Sequence, residues 1–212
     1  FFSGGMSGPG SYQGSTLCYV LDTRELSVTL KPSMSTARYS HGSLYFEGRV
    51  YVVGGCHTSA LSDCESFECD GETWTTLQRM PQASYLSSLT ELIHKRSILV
   101  IGGCDSNSDH QLNIQEYTVD SDEWRVWPIK LEYPDSSIHS FKLSRESSDV
   151  YIVGAPRLSK LDTTTQELSL IHSDLDPAFF DYLKGPCFYY NSTLFVASST
   201  CGVVVIEVGE IA

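Results

Sequence analysis

Long apolar runs are missing from this chain. No stretch of about 18 apolar residues occurs, so no α-helix has the makings of a bilayer span. Basic side chains are scarce: 14 Lys and Arg stand against 26 Asp and Glu, a formal charge of −12. A nucleic-acid backbone would be repelled, and no basic stripe offsets that. An anionic membrane surface is disfavoured by the same sign. The expected partner is neither; the acidity suits a basic protein surface, or simply keeps the chain soluble. Charged residues make up only 19% of the chain, and no periodic helix of three turns can be traced. Only Asp174 to Leu183, with Pro177 near its start, suggests a short helical turn before Gly185-Pro186. A Gly-x-Ser-x-Gly elbow, a phosphate-binding loop and a dinucleotide fingerprint are all lacking. No catalytic residue, cofactor or metal is therefore assigned.

Cysteine is present in an odd number, seven, at positions 18, 56, 64, 69, 104, 187 and 201. The chain, at 212 residues, is too large for a disulfide-stapled miniprotein. Cys56 and Cys104 recur at one repeat position and should lie well apart. Mostly reduced thiols in a cytoplasmic protein are expected. His57 beside Cys56, with Cys64 and Cys69 nearby, has the ligand types of a zinc site but not the paired spacing. Asn191-Ser192-Thr193 fits a glycosylation acceptor, though a strand-linking turn explains the Asn as well.

What the chain does have is a repeat. An aliphatic run followed by small residues appears as Phe1-Phe2-Ser3-Gly4-Gly5 and as Val50-Tyr51-Val52-Val53-Gly54-Gly55. It returns as Ile98-Leu99-Val100-Ile101-Gly102-Gly103 and as Val150-Tyr151-Ile152-Val153-Gly154-Ala155. From Gly4 to Gly54, Gly102 and Gly154 the steps are 50, 48 and 52 residues. A second motif keeps the same period: Tyr19 to Leu26, Phe67 to Trp74 and Tyr117 to Trp124. Units of this size cannot bury their own apolar faces and must stack.

Each unit reads as four antiparallel strands. In the second unit these are Ser43–Phe46, Val50–Val53, an alternating Cys64–Cys69, and Thr73–Leu77 after the Asp70-Gly71 turn. Val50–Val53 is too short for a helix and apolar enough to be buried on both faces. The third unit offers Leu89–Ile93, Ile98–Ile101, Ile114–Val119 and Trp124–Trp127; the fourth offers Ile138–Leu143, Val150–Val153, Leu158–Leu161 and Glu167–Ile171. The fifth begins at Cys187 and lacks an outer strand. Phe1-Phe2-Ser3-Gly4-Gly5 reads as the end of a strand, so the chain is expected to be a piece of something longer. Four-stranded sheets repeated about an axis make an all-β propeller. Approximate blades are 1–35 (partial), 36–81, 82–130, 131–175 and 176–212 (partial).

An aliphatic run, Gly-Gly, then an aromatic seven residues before Trp resembles the kelch repeat. Phe67 to Trp74 and Tyr117 to Trp124 carry the match, and Met34 through Arg38 to His41 resembles that family's lead-in to an inner strand. Unit one departs with Leu26, unit four with Ala155 and Leu168, and unit five with Ser198-Ser199. The resemblance implies a propeller of about five to seven blades, of which this chain supplies about four and a half. It implies a protein or peptide partner docked on one face, at positions matching Arg38, Tyr39, His57, Ser84, Tyr85 and Asp105. Arg38 is expected to clamp a carboxylate or phosphate, or else to bridge to a neighbouring loop. Trp74 and Trp124 are expected as packing anchors between blades. His41 and His139 are expected as structural groups. A ubiquitin-ligase substrate adaptor or a cytoskeletal scaffold is the implied context, although the adaptor's BTB region is not in this sequence. The rival is a propeller-framed enzyme of galactose-oxidase, sialidase or sugar-epimerase type. Asp70-Gly71-Glu72-Thr73-Trp74 misses the sialidase Asp-box by one residue, and no Tyr/His spacing supports copper.

Gly54 closes the buried strand at a point where only glycine is expected to fit. Gly54→Val should lower stability by more than about 2 kcal/mol in urea denaturation; an unchanged midpoint would refute this placement of the strand.

Overall fold

A computed structural model describes residues 1–6, 13–132, 138–154 and 157–173, together with the backbone of three strands further on. The Asp174–Leu183 turn, the Asn191 acceptor and the small residues Ala155 and Ser199 lie outside the described residues. The first sheet holds β1 (Phe2–Ser3), β2 (Cys18–Asp22) and β3 (Ser27–Lys31). The second holds β4 (Gly42–Phe46), β5 (Arg49–Val53), β6 (Cys64–Glu68) and β7 (Thr73–Leu77). The third holds β8 (Ser88–Leu92), β9 (Ser97–Ile101), β10 (Asn113–Thr118) and β11 (Glu123–Lys130). A 3₁₀ turn, Ile93–Lys95, links β8 to β9. The fourth holds β12 (His139–Phe141), β13 (Asp149–Gly154), β14 (Arg157–Asp162) and β15 (Glu167–His172). The fifth holds β16 (Cys187–Tyr190), β17 (Thr193–Ser198) and β18 (Gly202–Glu207). Strands follow sequence order in every sheet, and every pairing is antiparallel. Inner strands neighbour one another, β4 with β8, β8 with β12 and β12 with β16. The sheets are the blades of a β-propeller. Among the described residues no helix is long and apolar enough to cross a membrane.

The second strand of each blade explains the stacking. In β5, Val50 and Val52 pack toward the first sheet with Cys18, Met34 and Phe67. Tyr51 packs the other way with Ile98 and Tyr117, and Val53 joins Met80 and Val100. In β9, Ile98 and Val100 face the second sheet, while Leu99 and Ile101 join Val150, Ile152 and Leu161 of the fourth. Alternate side chains leave opposite faces of a strand, so a strand between two blades must be apolar throughout. β6 departs from the expected alternation of burial. Cys64, Glu65, Ser66 and Phe67 are all buried, because neighbouring sheets cover both faces and the polar members have internal partners.

The Gly-Gly turn is a close approach. Gly54 has φ +61, and a Cβ there would stand 2.3 Å from the Ser84 carbonyl oxygen of the next lead-in segment. Strain and collision thus coincide at this residue.

The seven-residue aromatic spacing is a hairpin register. Phe67 pairs with Trp74 and Tyr117 with Trp124 across four-residue turns, with ring centroids 5.2 and 5.1 Å apart. Each turn ends in a left-handed residue, Glu72 and Asp122, matched by Leu26 in the first sheet and Gln166 in the fourth. This corrects the first unit. Its equivalent pair is Leu21 and Val28, not Tyr19 and Leu26, since Leu26 holds the turn position. In the fourth sheet Leu161 pairs with Leu168 as the spacing expects. Trp74 donates its indole N–H to the Pro32 carbonyl at 2.7 Å, and Trp124 donates to the Gln78 carbonyl at 2.9 Å. Both acceptors follow the outer strand of the preceding blade. On the first sheet the same face, carrying Phe2, Tyr19, Leu21, Val28 and Leu30, is exposed.

Trp124→Leu installs the residue type found at the fourth blade's equivalent position. It should cost about 2 kcal/mol by guanidinium denaturation, from lost area and an unpaired Gln78 carbonyl. A change under about 0.5 kcal/mol would mean the indole does not anchor the joint.

Candidate partner-binding face

Strand direction places two kinds of segment on one rim. Loops 54–63 and 102–112 leave the second strands, and segments 32–41 and 78–87 lead into the inner strands. The same hydrogen bonds recur at each step. Gly5 donates its N–H to the Arg38 carbonyl, and Gly55 donates to the Ser84 carbonyl, both at 2.9 Å. Tyr39 and Cys56 exchange backbone bonds at 2.9 and 2.8 Å; Tyr85 and Cys104 do so at 3.0 and 2.8 Å. Leu86 donates to the Ser40 carbonyl at 2.9 Å.

Side chains knit adjacent loops as well. His57 Nδ1 accepts from the Gly14 amide at 3.0 Å, and Ser106 Oγ accepts from the Ala60 amide at 3.1 Å. Gly14 and Ala60 are equivalent, since Ser15 and Leu61, one residue on, each donate at 2.8 Å to the carbonyl of their own unit's second glycine. In loop 102–112, Asp105 Oδ1 accepts from the amides of Asn107 at 2.8 Å and Asp109 at 3.0 Å. The Tyr85 hydroxyl donates to Ser108 Oγ at 3.1 Å. The rim is therefore a collar of ordered loops running from blade to blade.

The six residues expected here divide into two groups. Tyr39, His57, Tyr85 and Asp105 are partly exposed on the collar. Arg38 and Ser84 are buried, at 0% and 1% exposure. The expected exposed guanidinium is thus corrected. Arg38 donates to the carbonyls of Gly54 at 2.6 Å and Asp63 at 2.8 Å, and to Glu65 Oε1 at 2.8 Å. The alternative, a bridge to a neighbouring segment, is what the structure holds. Ser84 takes the corresponding place one blade on and bonds Ser87 Oγ at 2.7 Å. The exposed tip Ser106–His110, with Thr58 and Ser59, was not singled out from sequence. Its signal is the polar run Asp105-Ser106-Asn107-Ser108-Asp109, which suits a self-bonded Asp turn.

Glu65 organises the segment beneath the collar. Its carboxylate accepts from the Ser35 amide at 2.8 Å, the Ser35 hydroxyl at 2.7 Å, the Thr36 amide at 3.1 Å and Arg38. Burial pushes its carboxyl up, but the Ser35 donors and the Arg38 guanidinium outweigh that and hold it below the usual carboxylate range. In the next blade Gln115 does this work without charge, accepting from the Gln82 amide at 2.9 Å and donating to the Gln82 carbonyl at 3.1 Å. Among the described residues no three His, Cys, Asp or Glu side chains are placed to share a metal ion. Cys64 opens β6 and Cys69 follows its far end; burial pushes the Cys64 thiol up to about 12.

Removing one partner of a buried pair strands the other. Arg38→Met should cost about 3–5 kcal/mol at pH 7 by urea denaturation. A carboxylate with a depressed pKa contributes stability at neutral pH that is lost as pH falls through its folded value. The Arg38→Met penalty should therefore shrink below the ordinary carboxylate range; a penalty independent of pH would show that Glu65 is not left charged.

The kelch motif matches residues 37–81. Kelch-like protein 25 of Xenopus tropicalis is 31% identical over 139 residues, 60% of this chain and 23% of the relative. A kelch repeat-containing protein of Dictyostelium discoideum is 27% identical over 119 residues, 53% of this chain and 18% of the relative. Beta-scruin of Limulus polyphemus is 28% identical over 99 residues, 43% of this chain and 11% of the relative. The chain spans less than a quarter of each of these relatives. The recurring Gly-Gly turns, the paired aromatics and the four-stranded blades agree with these matches, and together they support a kelch-repeat protein.

Proposed function

We propose that the collar is a non-catalytic docking face for a protein or peptide, and that its acidic tip selects a basic segment. The observation that supports this is the loop order. Tyr39, His57 and Tyr85 are held by bonds to neighbouring segments, and Asp105 by bonds within its own loop, before any partner arrives, so little conformational entropy is lost on binding. Asp105 and Asp109 contribute the negative charge; Asp63, on the same rim, is already paired with Arg79 at 2.9 Å. The partly exposed tyrosines offer rigid area with a polar end. In this reading the chain serves a cytoplasmic substrate adaptor or cytoskeletal scaffold.

A phage-displayed random peptide library selected on the protein should yield sequences rich in Lys and Arg. The double variant Thr58→Lys with Asp109→Lys should weaken the selected peptides at least about tenfold by fluorescence polarisation. The control pair Asp70→Lys with Thr164→Lys, on turns of the opposite rim, should leave them unchanged. Equal loss in both variants, or loss only in the control, would remove the face from this role.

A further inference from the structure

One slot recurs at successive blade joints, three residues after the Arg38 position, and holds a different residue each time. Gly42, Ser88 and His139 are equivalent, pairing with Val53, Ile101 and Val153. The slot just before them is therefore His41, Ser87 and Ile138. Each side chain presses on a glycine turn. A Cβ on Gly4 would stand 2.9 Å from His41 Cε1, and one on Gly102 would stand 2.5 Å from Ile138 Cδ1. In the third blade Ser87 stays within its own sheet, donating to the Gly102 carbonyl at 3.1 Å and standing 2.5 Å from where a Cβ on Gly103 would lie. In two of the three blades the slot thus holds a group that does not titrate between about pH 4 and 8. Only the second blade fills it with an imidazole, His41, and sets that ring against the first sheet.

His41 bridges the first two sheets, its Nε2 lying 2.9 Å from Ser3 Oγ of β1. Its Nδ1 is buried and has no hydrogen-bond partner among the described residues. From its own segment the buried Arg38 cation faces it. β1 and the turn after it offer Ser3 and Gly4, and loop 54–63 offers Gly55, none of them charged; Asp63, at that loop's far end, is paired with Arg79. Glu65, which pairs with that Arg38, is already engaged by it and by Ser35. A proton on Nδ1 would therefore enter with no acceptor, beside an existing cation.

We propose that His41 makes the joint between the first and second sheets an acid-released latch, letting the first sheet detach while the later joints hold. Burial, then Arg38, lower the imidazole's pKa from 6.5 to about 4. A group so depressed stabilises the closed joint fully above its ordinary value, and that contribution is lost as pH falls from about 6.5 toward 4. Opening would uncover Cys18, Met34, Val50 and Val52, now packed together.

Hydrogen–deuterium exchange on the whole chain, corrected for intrinsic rates, tests this. Between pH 7.5 and pH 5, β2 amides should lose about 30-fold in protection relative to β9 and β10. His41→Ile, which installs the residue of the third joint, should abolish that difference. Uniform loss across all sheets, no loss in β2, or the same acid loss in His41→Ile would overturn the proposal. Should His41→Ile fold poorly, NMR titration of wild-type His41 decides. An imidazole neutral down to about pH 5 supports the latch; one titrating near 6.5 refutes it.

Discussion

The constraint beneath this structure is that its second strands are dry on both sides. A sheet with two apolar faces has no outward surface to give to water, so it can exist only between neighbours. β5 and β9 show the rule side chain by side chain, with odd and even positions sent to different blades. The Gly-Gly turn follows from the same crowding. Where the backbone leaves such a strand it passes within van der Waals contact of the next blade's lead-in segment, and a side chain would not fit. Freedom to vary is then left mainly to the loops, which run over the surface.

Much of this was legible in the sequence because packing between blades repeats. Aliphatic runs bounded by Gly-Gly marked β5 and β9, and one bounded by Gly-Ala marked β13; each residue of those runs is buried on one face or the other. The aromatic-to-Trp spacing marked the outer hairpins. It misled in the first unit, where Tyr19 and Leu26 also stand seven apart. Only the left-handed Leu26 shows that the hairpin is displaced by two residues. Outer-strand length was underestimated for β11, which runs on through Pro128 to Lys130. An outermost strand has no ladder on its far side, so a proline there costs it nothing.

The face was less legible than the blades. An arginine in a lead-in segment looks like a surface cation, and nothing local says that it turns inward. The answer lay in a distant residue, Glu65, whose equivalent is Gln115 where the arginine's equivalent is Ser84. Charged in one blade and neutral in the next, the pair changes as a unit. A buried Glu with an Arg partner and a buried Gln bonded to backbone are two solutions to one problem: holding a segment that has no ladder of its own.

The open face of the first sheet has a colloidal consequence. Phe2, Tyr19, Leu21, Val28 and Leu30 form a flat, greasy patch on a short ribbon, the kind of surface through which molecules adhere to one another. A formal charge of −12 makes such molecules repel one another in neutral solution. That repulsion vanishes near the isoelectric point of 4.8. Mild acid thus removes the electrostatic guard from a sticky edge, and salting at low pH should be avoided when the protein is concentrated.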